Sequence, residues 1–498
     1  MEHHRQAVRL VSATVRSLFE RSEPYRIWHG STNSTRPPHQ KAGVRVVDIS
    51  GLRNVLSVDA AARTALVEPN VPMDRLVEST LPHGLVPPIV MEFPGITAGA
   101  GSRAPPARAV VSATGTLTRR SGPWRWFSRT GRSLPRVRTR GTNGRVAWRR
   151  RLARFGRCAA EKGNDYVDGI LFSKDHGVIV SGKMTDDLPS EDERVQTFSH
   201  PRDPWFYLHV QDITKTLSSS SSSPESSSSE STVTEYIPLS EYLFRYDRGG
   251  FWVGKAAFDF FNPVPFNRFF RWFLDDFMHT RMLYRALHGS GESARFIVQD
   301  VGMPYESAEP FINYVSDELA IWPLWLCPLK TPSGPSFHPH LRDGGKGKEK
   351  AAHGEMLNIG VWGWGPSDRN LFIRANRALE RRIDELGGTK WLYAHTYYPP
   401  SEFWRVYGSA QQKQYEALRQ KYLATSLPNV YDKVSVKVDN DDAVLRGWKP
   451  WLKALWPIGG LWGIWKAIQS KDYLLHRRAT WKWTGEAGEA KTGKAKST

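Results

Sequence analysis

Two corners of this chain hold the residue types that grip a phosphate. The first is Gly30-Ser-Thr-Asn-Ser-Thr35; the second is Pro94-Gly-Ile-Thr97, followed by Gly99. A diphosphate needs several N–H donors converging on it, and only small residues let the main chain come that close. In the first corner Gly30 and Asn33 sit among Ser31, Thr32, Ser34 and Thr35, whose hydroxyls add donors. In the second, Pro94, Gly95, Ile96, Thr97 and Gly99 are the candidates. The plain alternative for either is an ordinary surface turn. A third stretch, Tyr393-Ala-His-Thr-Tyr-Tyr398, offers His395, Tyr397 and Tyr398 as groups able to hold or pass a proton. Each of the three could equally be a hydrogen-bonded core residue. His338-Pro-His340 has no third ligand near it in the sequence, so no metal site is expected.

The elements between the two corners would have to position them. Residues 44–49 and 65–69 read as strands. Pro72 begins a helix whose Met73, Leu76, Val77 and Leu81 recur at helical spacing, and Gly84 ends it. Further along, Val167, Ile170, Phe172 and residues 178–180 alternate as a hairpin turning at 174–177. Residues 357–362 form a strand candidate and residues 370–386 a helix. Residues 1–23 read as an amphipathic helix with Val8, Leu10, Val11, Val15, Leu18 and Phe19 in one stripe. Packing on the first domain and contact with a membrane surface are both open for that helix. The expected fold class is α+β.

This order of loop, strands, helix and glycine turn resembles the flavin domain of the vanillyl-alcohol-oxidase or p-cresol-methylhydroxylase (PCMH) type. Within that superfamily it is most similar to the delta-24-sterol reductase family. The resemblance rests on the Gly30 to Thr35 loop, on Val67-Glu-Pro69 with Val71 and Leu76, on Gly84-Leu-Val-Pro-Pro88, and on Pro94-Gly-Ile-Thr97 with Gly99. Ile321-Trp-Pro-Leu-Trp-Leu-Cys-Pro328 and Leu392-Tyr-Ala-His-Thr-Tyr-Tyr398, followed by Glu402-Phe-Trp404, extend it. It implies that both corners lie against the FAD pyrophosphate. It implies that NADPH reduces the FAD, and that a hydride and a proton are added across a carbon–carbon double bond in the side chain of a sterol. It implies that the stretch ending at Tyr398 is a strand facing the flavin, which makes Tyr397, Tyr398 and His395 the candidate proton donors.

The implied architecture is a PCMH-type FAD-binding domain, incomplete here, plus an α+β substrate cap domain. Dense aromatics between Tyr242 and Leu287 suit the wall of a cavity for a sterol or another apolar substrate, although most of them would serve as core. Two other functions stay open: another FAD-linked oxidase on the same scaffold, or a non-catalytic lipid- or membrane-associated relic.

The net charge of +19 invites a nucleic-acid reading, but its placement argues against one. Residues 101–158 hold 16 Arg and no Lys, Asp or Glu, so 19 − 16 leaves +3 for the other 440 residues. A phosphate-binding surface usually mixes Lys with Arg on a patterned fold. Residues 102–158 read as an aberrant segment without helical or strand period, disordered and out of frame or intronic in origin. A disordered basic arm and a nucleic-acid tether are the alternatives. If half of the flavin domain is missing there, the protein should bind FAD weakly or not at all.

The expected organisation is therefore residues 1–101 for the N-terminal helix and the first half of the FAD-binding domain, then the segment 102–158. The cap domain follows at 159–445, with a serine-rich loop at 217–231 in which 11 of the 14 residues from 218 to 231 are Ser. The tail, 446–498, is rich in Trp and Lys. Seven of the 20 Trp lie between Trp448 and Trp483, interleaved with Lys449, Lys453, Lys466 and Lys471. That pairing suits a membrane interface, and packing on the protein is the other reading. Two cysteines point to a reducing compartment. The start of the chain lacks the apolar core of a signal peptide. It also lacks the N-terminal membrane anchor that animal members of the resembled family carry. An intracellular protein is expected, cytoplasmic or at the surface of the endoplasmic reticulum membrane.

Overall fold

The computed structural model of the protein describes residues 1–30, 45–87, 89–101, 109–111, 124–125, 134–141, 148–186, 195–219, 232–329, 337, 356–436 and 456–484. The fold begins with α1 (Glu2–Glu20), β1 (Tyr25–Trp28), β2 (Arg45–Asp48), β3 (Val55–Asp59), β4 (Thr64–Val67), α2 (Met73–Thr80), β5 (Ile89–Met91), α3 (Ala98–Gly101) and β6 (Ala109–Val111). Next come β7 (Trp124–Arg125), β8 (Leu134–Gly141), α4 (Trp148–Ala160), β9 (Tyr166–Leu171), β10 (Gly177–Thr185), α5 (Phe206–Ser219), β11 (Thr232–Tyr236), α6 (Leu239–Leu243), α7 (Val253–Phe260), α8 (Arg268–Phe273) and α9 (Thr280–Ser290). The remainder is β12 (Phe296–Pro304), α10 (Tyr305–Tyr314), β13 (Leu324–Leu329), β14 (Met356–Trp364), α11 (Arg369–Glu385), β15 (Thr389–Lys390), α12 (Pro400–Tyr407), α13 (Ser409–Lys421), α14 (Val430–Val434), α15 (Ile458–Ser470) and α16 (Tyr473–Arg477). This mixture of helices and sheets is consistent with the α+β expectation.

The large sheet runs β11-β8-β10-β9-β13-β14-β12-β15, antiparallel at every step. Side chains alternate across a strand, so the sheet sorts its residues into two cores. On one face, Ile170, Val178, Val180, Trp325, Cys327, Trp362 and Phe296 pack with Val71, Met73, Leu76, Phe93 and Ile96 from the N-terminal layer and with rings from α5 to α7. On the other, Leu171, Ile179, Leu324, Leu326, Ile359, Val361 and Ile297 pack under α4, α10 and α11. The N-terminal layer is held to the first face by burial, since Val71, Val77 and Val90 are all but inaccessible.

Near the N-terminus the expected strands and helix are present as β2, β4 and α2, and the hairpin as β9 and β10. Gly84 has φ of +64°, the left-handed conformation that ends a helix and that glycine adopts without strain. Helix α1 meets β2, and its His4 imidazole lies 2.8 Å from the Glu68 carboxylate. Val8, Leu10 and Phe19 of its apolar stripe remain exposed.

The Arg-rich segment departs from expectation where it is described. Residues 134–141 form β8, paired with β10 on one side and β11 on the other. The missed signal is an alternation of period two: Val137 and Thr139 are buried while Arg138 points to solvent. Helix α4 buries Leu152, Phe155 and Cys158, one per turn. High arginine content masks both patterns, because guanidinium groups can occupy every exposed position of a regular element. The serine-rich stretch from residue 220 to 231 and the His338, His340 pair lie outside the described residues.

The described part of the tail is packed. Gly459, Gly460, Gly463 and Ala467 of α15 are buried, and the helix lies on α9. Among the described residues, no helix is long and apolar enough to cross a membrane.

Candidate functional site

The second corner is folded onto α2. Met73 N–H donates to the Ile96 carbonyl at 2.9 Å and Asp74 N–H to the Pro94 carbonyl at 3.3 Å. In return Ala98 N–H donates to the Val71 carbonyl and Gly99 N–H to the Pro69 carbonyl, each at 2.8 Å. Ile96 N–H donates to the Phe93 carbonyl at 3.1 Å, and Ala100 N–H to the Thr97 hydroxyl at 3.4 Å. Gly99 is required by this packing: a Cβ there would lie 2.8 Å from the Pro69 carbonyl oxygen.

Most of the corner's donors are thus engaged within the protein; among the described residues no acceptor meets the N–H groups of Gly95 and Thr97. Those two do not by themselves complete a diphosphate cradle. Four of the first-corner residues, Ser31, Thr32, Ser34 and Thr35, lie outside the described residues, as does Asn33 between them. Gly30 is described, with φ of +73°, and a Cβ on it would come 3.1 Å from the Ser50 Cβ. From there the contacts run toward the second corner: the Asn70 amide donates to the Ile49 carbonyl, and Pro69 meets Gly99. The near end of the first corner and the far end of the second are thus linked through the loops that carry Ser50 and Asn70.

Arg281 locks this corner from α9. Its guanidinium makes a two-point pair with the Asp74 carboxylate at 2.7 and 3.0 Å and a third bond to the Pro94 carbonyl at 3.1 Å. All three groups are buried.

Beneath the corner, the first sheet face presents buried polar groups that the sequence reading did not single out. Asp168 of β9 accepts from the Arg245 guanidinium at 2.8 Å, the Tyr246 hydroxyl at 2.6 Å and the Trp325 indole at 3.2 Å. Arg245 lies between rings, 3.9 Å from the Tyr242 centroid and 4.7 Å from that of Tyr246. The pair with Asp168 holds its guanidinium protonated, against a burial penalty. Burial is the first cause lifting the Tyr246 hydroxyl, with the Asp168 carboxylate adding to it, so the phenol stays neutral and donates. Burial likewise raises the Cys327 thiol, reinforced by Asp168, Glu92 and Asp300, so it is not a thiolate nucleophile.

Above that floor the rings interlock. Phe251 stacks on Tyr246 with centroids 4.0 Å apart and meets Phe93, from the corner, edge-on at 5.6 Å. It also meets Trp362 edge-on at 4.5 Å. Phe251 itself has φ of +56°, after two left-handed glycines, Gly249 and Gly250. The first of these approaches Trp205 so closely that a Cβ would sit 2.7 Å from the ring. One cue to the floor was available in the sequence: Asp168 falls in phase with Ile170, a carboxylate at a core position of an otherwise apolar strand.

The stretch from 393 to 398 is not a strand. It is a turn followed by a single bridge between Thr396 and Ser435. The Glu380 carboxylate of α11 organises it instead, accepting from Lys390 Nζ at 2.6 Å, Tyr397 N–H at 2.8 Å and the Thr396 hydroxyl at 3.0 Å. Tyr397 belongs to the second core and Tyr398 to a separate small cluster with Phe403 and Tyr407. The Tyr398 hydroxyl donates to the Glu380 carbonyl at 3.3 Å. His395 lines a small edge cavity with Phe296, Gln299, Asn376 and Tyr397. The sheet thus lies between the Phe93 corner and Tyr397. The neighbours that reach the corner's face are Trp391, donating to the Asn358 amide oxygen at 2.7 Å, and Tyr393, donating to Asp300 at 2.9 Å. Among the described residues, no group of His, Cys, Asp and Glu is arranged to hold a metal ion.

No protein-family model matches the chain. Curated relatives do. It is 28% identical over 291 residues, 57% of this chain and 50% of the relative, to the Delta(24)-sterol reductase of Homo sapiens. The match to the Macaca fascicularis protein of that name has the same identity and coverage. Over 439 residues, 76% of this chain and 74% of the relative, it is 23% identical to the Delta(24)-sterol reductase of Arabidopsis thaliana. The chain spans about half the length of the animal relatives it matches. Its similarity is thus to proteins that share one name, Delta(24)-sterol reductase, across animals and a plant.

Proposed function

We propose that this protein is an FAD-linked oxidoreductase built on the sterol reductase plan. Its reaction would be reduction of a carbon–carbon double bond in a sterol's side chain, with NADPH as electron source, and as it stands it would hold FAD weakly or not at all. The shared name of the relatives supports the reaction class. The observation that carries the second clause is the engagement of the Ile96, Ala98, Gly99 and Ala100 N–H groups within the protein. The proposed FAD contacts are Gly30, Ser31, Thr32, Asn33, Ser34 and Thr35 with Pro94, Gly95, Ile96, Thr97 and Gly99. Gly95 and Thr97 would supply the second corner's donors.

His395, Tyr397 and Tyr398 remain the proton donors that the resemblance proposes. Of the phenols in this stretch, that of Tyr393 reaches the corner's side of the sheet through Asp300, and we place the proton there in preference. The apolar wall for the substrate is the ring set around Phe251, Trp325 and Trp362. An intracellular location is part of this proposal, as is the absence of a nucleic-acid partner. The regular packing of β8 and α4 weighs against an out-of-frame origin for residues 134–141 and 148–160, and sequencing the transcript across the region tests that origin.

The experiment is flavin content of the purified full-length protein, followed by FAD titration and assay of NADPH-dependent saturation of a sterol bearing a C24 double bond. Substoichiometric FAD with product formed at excess FAD is expected. Stoichiometric FAD in the purified protein would overturn the weak-binding clause. Absence of product at every FAD concentration would favour the second reading, a lipid-associated protein without catalysis, which the engaged corner also supports.

A further inference from the structure

Helix α15 turns its rings the opposite way from an ordinary surface helix. Its glycines face inward and its tryptophans face out, with Leu461 55% and Trp465 43% exposed. The inward face is a close seam: a Cβ at Gly463 would lie 2.3 Å from the Ala286 carbonyl oxygen of α9. That seam fixes the rotation of the helix, so the rings cannot roll into the protein. On the outer side Trp462 and Trp465 pack with centroids 4.7 Å apart, and Lys466 Nζ lies 5.4 and 4.7 Å from those centroids.

Helix α8 repeats the arrangement. Phe269, Trp272 and Phe273 follow helical spacing and are all exposed, Phe273 by 66%, beside the exposed Arg268. Both helices belong to one flank, because the segment bearing α8 is tied to the tail at its two ends. At one end the Trp456 indole donates to the Phe260 carbonyl at 2.8 Å. At the other, Asp276 lies 3.0 Å from the His476 imidazole and accepts from Arg477 at 2.9 Å.

We infer that this flank docks on the surface of an anionic lipid bilayer, with the rings of α15 and α8 at headgroup depth. Charge decides between a bilayer and a protein partner. The core of a protein interface is depleted in lysine, whereas an interfacial helix sets cations among its rings to meet lipid phosphates. Lys466 lies over two exposed tryptophans, which is the second pattern. The inference is independent of the sterol chemistry and of whether FAD is held.

The test is flotation of the full-length protein with phosphatidylcholine vesicles, with and without phosphatidylserine. The protein should float with the anionic vesicles. The W462E/W465E double variant should lose at least about ten-fold in vesicle affinity. L418E, at an exposed position on α13, should float as the unaltered protein does. K466E should lose binding to anionic vesicles with the least disturbance of the helix. An unchanged melting temperature shows that a variant is folded. The proposal is overturned if the unaltered protein stays in the dense fraction, or if the folded double variant floats equally well. It is also overturned if the protein is a dimer that W462E/W465E makes monomeric, since a second copy would then be the occupant.

Discussion

Arg281 on α9 and Asp74 on α2, separated by about two hundred residues of sequence, form a buried two-point ion pair with contacts of 2.7 and 3.0 Å. The same guanidinium holds the Pro94 carbonyl. The pair therefore fastens the N-terminal layer to the helical region over the sheet and sets the shape of the second corner.

Removing one partner leaves the other charge buried alone. D74N should cost ~3–5 kcal/mol, read from the urea midpoint. Replacing both partners together, as D74L/R281M, should recover most of that loss. A loss in the double variant as large as in D74N would show that the pair matters by shape alone.

Phe155 tests whether the Arg-rich segment is an integral part of the fold. It is 1% exposed, and its ring lies where a Cβ on Gly169 would come 3.1 Å from it. F155A should cost ~3–5 kcal/mol, whereas R138A, at a solvent-facing position of β8, should be near neutral. Equal tolerance of both by thermal unfolding would mark the segment as dispensable.

Glu380 should dominate the 390–398 region. E380Q leaves the buried Lys390 ammonium without its carboxylate and should cost ~3–5 kcal/mol. Y398F removes the 3.3 Å hydroxyl contact to the Glu380 carbonyl and should cost no more than ~1 kcal/mol. Comparable losses in the two variants would contradict this ranking.

Two stacked imidazoles give the tail a pH dependence. The His279 and His476 rings lie 3.7 Å apart. Burial is the larger cause holding His476 down to about 3, with His279 adding to it; Asp276 pulls the other way. For His279, burial opposes protonation, but the Asp247 carboxylate, with Asp275, overrides it and raises the group. Arg248 faces Asp275, and Lys482 lies in the same field.

The signs are opposite. The unfolded protein takes up a proton at His476 below about 6.5, which the fold refuses until about 3, so stability falls as pH drops through that window. The His279 contribution is full below its unfolded value and is lost as pH rises through its raised folded value. H476Q should flatten the decline in melting temperature between roughly pH 6.5 and 4.5, a window bounded by the unfolded histidine and carboxylate values. An unchanged decline would place the effect elsewhere.

How far the fold was legible follows the strength of local pattern. The strand, strand and helix before Gly84 were legible because each carries its own period and its own stop. The stretch from 393 to 398 was not, because its conformation depends on Glu380 and Ser435, remote in sequence. The side of the sheet on which Tyr397 falls could not be read from a stretch that is not itself a strand. The tail was half legible. Its Trp and Lys pattern pointed to an interface, but the Gly463 seam with Ala286 depends on the pairing of two helices that no local pattern announces.

Strand β8 has neighbours on both sides, and Arg138 turns to solvent while Val137 and Thr139 go inward. A single codon gained or lost within it would exchange the two sets and drive guanidinium groups into the hydrocarbon beneath. Evolution can therefore trade one cation for another along this ribbon, but it cannot lengthen or shorten the ribbon by one residue.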